Sequence, residues 1–192
     1  SASAVGYYGD QGESWLSESA AVGEGFLPVL CREWEKATDL AANTGIRVVN
    51  ARVGIVLSPL GGALKAMLPL FRAGLGGKLG HGRQYMSWIA IDDLTSALQF
   101  AIENTKLSGP VNFVAPEPVT NRDFTKALAH ELGKPAFLPV PGFLLKSLPG
   151  GLGREAFLAS QRAEPTKLRR AGFQFDFPDI ESTLHHVLRA GR

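Results

Sequence analysis

Residues 46–59 read Ile-Arg-Val-Val-Asn-Ala-Arg-Val-Gly-Ile-Val-Leu-Ser-Pro, from Ile46 to Pro59. This run of β-branched and apolar side chains is too continuous for a strand with one wet face. It predicts a strand covered on both sides, the habit of parallel sheets flanked by helices. Upstream, residues 26–43 have a helical pattern that closes on Asn43-Thr44-Gly45, and downstream come Pro59 and Gly61-Gly62. Helix, turn, central strand and loop make half of a βαβ repeat. In open parallel sheets ligands bind beyond the carboxyl ends of the strands, which puts the functional edge between Gly54 and Gly62.

The 192 residues, 45% of them hydrophobic, suffice for a sizeable core. Basic residues number 20 against 18 acidic ones, dispersed along the chain, for a net charge of +2. Charge therefore gives no reason to expect a nucleic acid or a membrane surface as partner. No stretch reads as a transmembrane span or a signal peptide. The single cysteine, Cys31, allows no intramolecular disulfide and suits a reducing compartment, with the cytoplasm as the default.

Residues 1–10 suit the end of a strand and the loop leaving it, as though the chain opened in mid-fold, and the polar residues 10–25 predict a surface loop. Within 26–43, Leu27, Leu30, Cys31, Trp34, Ala37, Thr38, Leu40 and Ala41 recur at three and four, which predicts one amphipathic helix. A brief helix over 64–71 precedes a glycine-rich loop over 74–82. That loop can bring backbone close to a ligand or serve as a plain excursion, and its spacing is not that of a P-loop. Residues 86–91 predict a strand, Asp92-Asp93 the cap of a helix over 94–104, and 111–115 a strand parallel to the first. Beyond Thr120 the pattern becomes mostly helical, over 120–132, 143–148, 155–162, 166–171 and 180–188, with an extended piece at 137–141 and an aromatic-polar alternation at 172–178.

This order of landmarks resembles the second half of the extended short-chain dehydrogenases, the NAD(P)-binding epimerase/dehydratase superfamily. The strand motif Arg-x-x-Asn-Val-Tyr-Gly-Pro falls on Arg52, Ile55, Val56, Leu57, Ser58 and Pro59. The Phe-Ile-His-Val-x-Asp-Leu segment falls on 88–94, and the later Asn-Val and Val-Thr pairs fall within 112–120. The atypical branch called epimerase family protein is closer still. Its Ser-Ala-Ser-Ala-x-Gly-Tyr-Tyr-Gly lies on 1–9, its Trp-Glu on Trp34-Glu35, and its Gly-Arg-Gln-x-x-Ser-Trp-Ile on 82–89. Ser160-Gln161-Arg162, Pro165, Leu168 and Ala171-Gly172-Phe173 are similar to that branch's C-terminal domain of unknown function.

The resemblance implies an α/β fold: the C-terminal half of a Rossmann-type doubly wound parallel sheet plus a small, mostly helical substrate-binding domain. Residues 1–60 and 91–115 would belong to the NAD(P)-binding domain, and 61–90 and 116–192 to the substrate-binding domain. It also implies NADP or NAD as cofactor, NADP favoured, and a small-molecule substrate. The glycine-rich turn that seats the dinucleotide pyrophosphate is placed ahead of Ser1. A missing N-terminal segment, or a second copy in a homo-oligomer, would then complete the sheet, and the chain alone is expected to be unstable.

Enzymes of this kind use a Tyr-x-x-x-Lys pair on a helix, where the lysine charge lowers the tyrosine pKa. The matching positions here are Cys31 and Glu35, and Lys36 sits about 100° further round the helix. A glutamate raises a neighbour's pKa instead. The family serine matches Ser3, and Tyr7 or Tyr8 offers a phenol from the same loop. The resemblance thus names Ser3, Tyr7 and Glu35 as catalytic candidates and Ser3, Arg52, Gly54, Ile55 and Val56 as cofactor-binding ones. Ile55 and Met86 stand where sugar-nucleotide enzymes carry an asparagine and an arginine, so those polar contacts are lost. Arg83 and Trp88 are the substrate-pocket candidates.

Each residue also has a plainer reading. Ser3, Tyr7 and Tyr8 can cap a turn, Cys31 can be a small buried hydrophobe, and Glu35 a solvated helix residue. Arg52 in a covered strand needs a partner, for which Asp92 or Asp93 is expected. His185-His186 lacks further ligands at metal spacing and reads as a solvated helix face; no metal is expected. The functional expectation is an oxidoreductase moving hydride to or from a carbonyl or alcohol. Its alternatives are a redox-inactive NADP(H)-binding regulatory protein, or an inactive incomplete fragment.

Overall fold

The computed structural model describes residues 1–143 and 152–190. Three parallel strands, β1 (Ala2–Ala4), β3 (Val49–Val53) and β7 (Gly109–Phe113), lie in the order β1-β3-β7. The quoted stretch is two strands rather than one. It breaks at Gly54, after which β4 (Ile55–Leu57) pairs in parallel with β6 (Trp88–Ala90) in a second sheet. The Gly54 N–H still donates to the Phe113 carbonyl at 3.1 Å, and the Ile55 N–H donates to the Ser87 carbonyl at 2.8 Å. A Cβ on Gly54 would lie 2.7 Å from that Ser87 oxygen, so the transfer between sheets needs glycine.

Both faces of β3 are covered, as expected, but only one is apolar. Val49, Ala51 and Val53 join Val111 and Phe113 against Ala97 and Ala101 of α4 (Ile91–Glu103). Leu168 of a short helix, Thr166–Arg170, and Phe173 of the tail complete this core. Asn50 and Arg52 point the other way, toward α1 (Phe26–Lys36). A second core gathers Leu64, Leu68 and Phe71 of α3 (Gly62–Arg72), Phe124 and Leu128 of α5 (Asn121–Leu132), and Leu184 and Val187 of the last helix, Ile180–Ala190.

Several expectations are corrected. The single helix over 26–43 is α1 followed by α2 (Asp39–Asn43), because the Thr38 hydroxyl turns back to the Glu35 carbonyl at 2.6 Å and competes with the helix ladder. The loop over 10–25 is not simply surface: it holds β2 (Trp15–Leu16), paired with β9 (Arg162–Ala163), and it buries Leu16 and Glu18. Arg162 is therefore in a strand, and the helix expected over 155–162 is α6 (Leu152–Phe157). The strand over 86–91 is interrupted at Ser87, with β5 (Tyr85–Met86) pairing antiparallel to β8 (Val119–Thr120). Asp93 does not cap its own helix. Its carboxylate accepts the Asp176 and Phe177 N–H groups at 2.9 and 3.1 Å and fastens the aromatic tail instead. The helix expected over 143–148 falls chiefly outside the described residues. Thr120 and Gly133 bound α5 as the sequence suggests, the threonine hydroxyl accepting the Asp123 N–H at 3.2 Å and the glycine closing the helix at φ 60.

Candidate functional site

The register of the three-stranded sheet sets Ser3 beside Arg52 and Arg52 beside Asn112. Their side chains form a polar row beneath α1 and the 3₁₀ turn Val5–Tyr8, and all three are buried. Glu35 reaches onto this row from the last turn of α1. Its Oε1 accepts from Ser3 Oγ at 2.8 Å and from Arg52 Nε at 2.7 Å, and its Oε2 accepts from Arg52 Nη2 at 2.8 Å. This is the bidentate fork-to-carboxylate geometry that lysine cannot make. Arg52 Nη1 donates to Tyr8 Oη at 3.0 Å and to the Glu18 carbonyl at 3.2 Å. The Tyr8 hydroxyl donates in turn to Asn112 Oδ1 at 2.7 Å, and Asn112 Nδ2 ends the network on the Leu16 and Glu164 carbonyls at 3.2 and 2.9 Å.

Arg52 is thus satisfied by Glu35, not by Asp92 or Asp93. Burial is the largest single influence and pulls the guanidinium pKa down, but the hydrogen bonds and charges of Glu35 and Tyr8 together outweigh it, and the net shift is upward. Burial pushes the Tyr8 phenol up more strongly than the Arg52 charge and hydrogen bond lower it. The Cys31 thiol is likewise pushed up by burial, the reverse of what an activated nucleophile needs. Ser3, Glu35, Arg52 and Tyr8 therefore spend their polar atoms on one another. Tyr7 differs. Its half-buried ring packs on the Arg52 guanidinium, 3.5 Å from the ring centroid, and lines a surface cavity of about 520 Å³ with Glu35, Arg32 and Lys36.

Val53, Gly54, Ile55 and Val56 are half-exposed in succession at the carboxyl end of the strand. This half-exposed edge is where the resemblance places the cofactor contacts, with Val53 also packed against the core under α4 and Ile55 against the second core. For a pyrophosphate, neither of two glycine triplets among the described residues offers the usual turn. Gly6, Gly9 and Gly12, and again Gly74, Gly77 and Gly80, have the spacing Gly-x-x-Gly-x-x-Gly, yet neither triplet joins a strand to a helix N-terminus. The first lies on the 3₁₀ turn and the loop before β2, the second on the loop before β5.

Arg83 is exposed on that second loop, where its backbone N–H donates to His81 Nδ1 at 2.9 Å. Trp88, expected at the substrate pocket, is wholly buried with its indole N–H on the Glu117 carbonyl at 3.1 Å, so it shapes that region from the core side. His185 and His186 do not form a bare solvated face: they pair with Glu131 at 3.2 Å and Asp92 at 2.9 Å. Among the described residues no three His, Cys, Asp or Glu side chains are grouped to hold a metal. Sequence reasoning missed Glu18 and Asn112. Glu18 Oε1 accepts the backbone N–H groups of Asn112 and Lys167 at 3.2 and 3.0 Å. The available signal was an asparagine in the middle of an apolar strand.

Residues 140–187 match a family described as a domain of unknown function, DUF1731. Over 186 residues, 97% of this chain, an epimerase family protein of Mycobacterium bovis is 50% identical. The chain belongs to the epimerase family proteins. Human epimerase family protein SDR39U1, solved with NADPH, matches 98% of this chain at 32% identity with a TM-score of 0.90, and 64% of its own chain is covered. A nucleoside-diphosphate sugar epimerase from Corynebacterium glutamicum matches 97% of this chain at 41% identity with a TM-score of 0.78, over 36% of its own chain. The sheet of this epimerase family protein is accordingly part of a Rossmann-type fold. The chain spans 62% of the length of the mycobacterial relative.

Proposed function

We propose that this epimerase family protein binds a nicotinamide dinucleotide, NADP(H) in preference to NAD(H), and performs little redox chemistry. Ser3, Glu35, Arg52 and Tyr8 then form a fixed support beneath the nicotinamide rather than an acid–base relay. The observation that carries this reading is the bidentate Glu35–Arg52 pair. It stands where the resemblance calls for a tyrosine-activating lysine, and it takes up the Ser3 proton donor as well. Val53, Gly54, Ile55 and Val56 would hold the ring. The choice of NADP(H) is supported by the human relative solved with NADPH. When bound, the cofactor supplies a group that can give or take a hydride.

A second reading, hydride transfer to or from a carbonyl or alcohol, is favoured by Tyr7, whose ring lies on a cation at the rim of a cavity. Tyr7 would polarise the substrate oxygen and Arg83 would meet a diphosphate, as on a nucleotide-sugar-like substrate.

Nicotinamide fluorescence titration with NADPH and NADH, on this chain and on the longest product of its gene, tests the binding. Stereospecific deuterium transfer from labelled NADPH to a panel of carbonyls separates the two readings. Binding without transfer supports the fixed support. Transfer that Tyr7→Phe abolishes overturns it in favour of the second reading. No binding by the longest product refutes both.

A further inference from the structure

Glu155 joins parts of the fold that lie 128 residues apart in sequence. It sits on α6, and its carboxylate meets the start of α1. Oε1 accepts the Phe26 N–H at 3.0 Å and Oε2 the Leu27 N–H at 2.7 Å. First-turn amides have no acceptor inside their own helix, and the helix start bears partial positive charge, so a carboxylate there is favoured twice over. The usual local cap is absent. The N-cap position is Gly25, which has no side chain to offer. Gly25 has φ 122, and a Cβ there would lie 2.8 Å from Glu155 Oε1. Glycine at this point thus gives up the local cap and makes room for a remote one. The far end of α6 is also held: Gln84, 2% exposed, donates from Nε2 to the Phe157 carbonyl at 3.1 Å.

α1 is the helix that bears Cys31 and Glu35. The contact walls one side of a cavity of about 300 Å³ lined by Gly6, Gly9, Asp10, Leu27 and Gln161. We propose that Glu155 is a positioning residue: through it, the segment that matches a domain of unknown function grips α1 by its N-terminus. That grip keeps Glu35 seated on Ser3 and Arg52 and keeps the cavity closed along α1. It holds whether or not the protein binds a cofactor.

Cys31 reports on this grip, because it is 3% exposed and packs toward Gly6, so a thiol reagent reaches it only when α1 lifts. The labelling rate is read by peptide mass on the longest product of the gene, at fixed pH. Glu155→Ala is expected to raise the rate about tenfold, the effect of losing one charge-assisted cap. Glu155→Gln, which keeps one acceptor, should fall between, and added acetate should slow labelling of the alanine variant but not of the wild type. Labelling of Glu155→Ala at the wild-type rate overturns the proposal. So does a fast rate that neither glutamine nor acetate reduces, since the side chain would then only fill space. Should the alanine variant fail to fold, amide hydrogen exchange in the wild type decides. Protected Phe26 and Leu27 amides support the grip, and amides that exchange as freely as exposed ones overturn it.

Discussion

Breaking the Glu35–Arg52 pair from either side should cost far more than removing both partners. The two side chains are 13% and 3% exposed, so neither charge can recover full hydration when the other is taken away. Arg52→Met leaves the Glu35 carboxylate with the neutral Ser3 hydroxyl alone, and removes the donor from Tyr8 Oη and the Glu18 carbonyl. An uncompensated buried charge of this kind costs about 3–5 kcal/mol. Glu35→Leu strands the more deeply buried guanidinium with only the Tyr8 hydroxyl and the Glu18 carbonyl as acceptors, a loss in the same range. The double variant carries no charge, and its residual loss is that of the Tyr8 and Ser3 hydrogen bonds, about 1–3 kcal/mol. The coupling energy should therefore exceed about 2 kcal/mol. Urea unfolding of the four proteins, followed by far-UV circular dichroism with linear extrapolation, measures it. Two single variants that each lose under about 1 kcal/mol and simply add would give the value of an exposed pair. The description of a sealed ionic pair beneath α1 would then be wrong.

Burial raises the Asp93 carboxyl pKa, against the lowering by the Asp176 and Phe177 amides. The folded protein then retains a proton that the unfolded chain has lost, so stability falls as pH rises from the ordinary Asp value, about 3.9, to the raised one. Asp93→Asn should remove that slope from a plot of Tm against pH, and an identical slope in both proteins would refute it. Gly54→Ala should lose about 1–3 kcal/mol by overpacking, since the new Cβ meets both the Ser87 carbonyl oxygen and Val114 Cγ1, at 2.7 and 2.9 Å. An unchanged Tm would show that close approach does not fix the break between β3 and β4.

The sequence by itself determined what depends on neighbours along the chain. Period and turn chemistry placed α5 between Thr120 and Gly133 and marked a covered parallel strand within Ile46 to Pro59, since a hydroxyl cap, a left-handed glycine and a β-branched run act over a few residues. Motif order added the family. The same local signals overran where a contact from elsewhere won. Thr38 ended α1 early, with its hydroxyl also near Asn50 of β3, and Gly54 split a strand that the run of apolar residues made look continuous. Only the tertiary structure decided which buried charge meets which. The sequence pointed Arg52 to Asp92 or Asp93, and the docking of α1 over the β1-β3-β7 register gave it Glu35 instead. Glu18 on Asn112, 94 residues away, and Glu155 on Phe26, 129 away, were illegible for the same reason. A carboxylate's partner is set by distance in space, and composition and spacing do not encode that distance until helices and strands have packed.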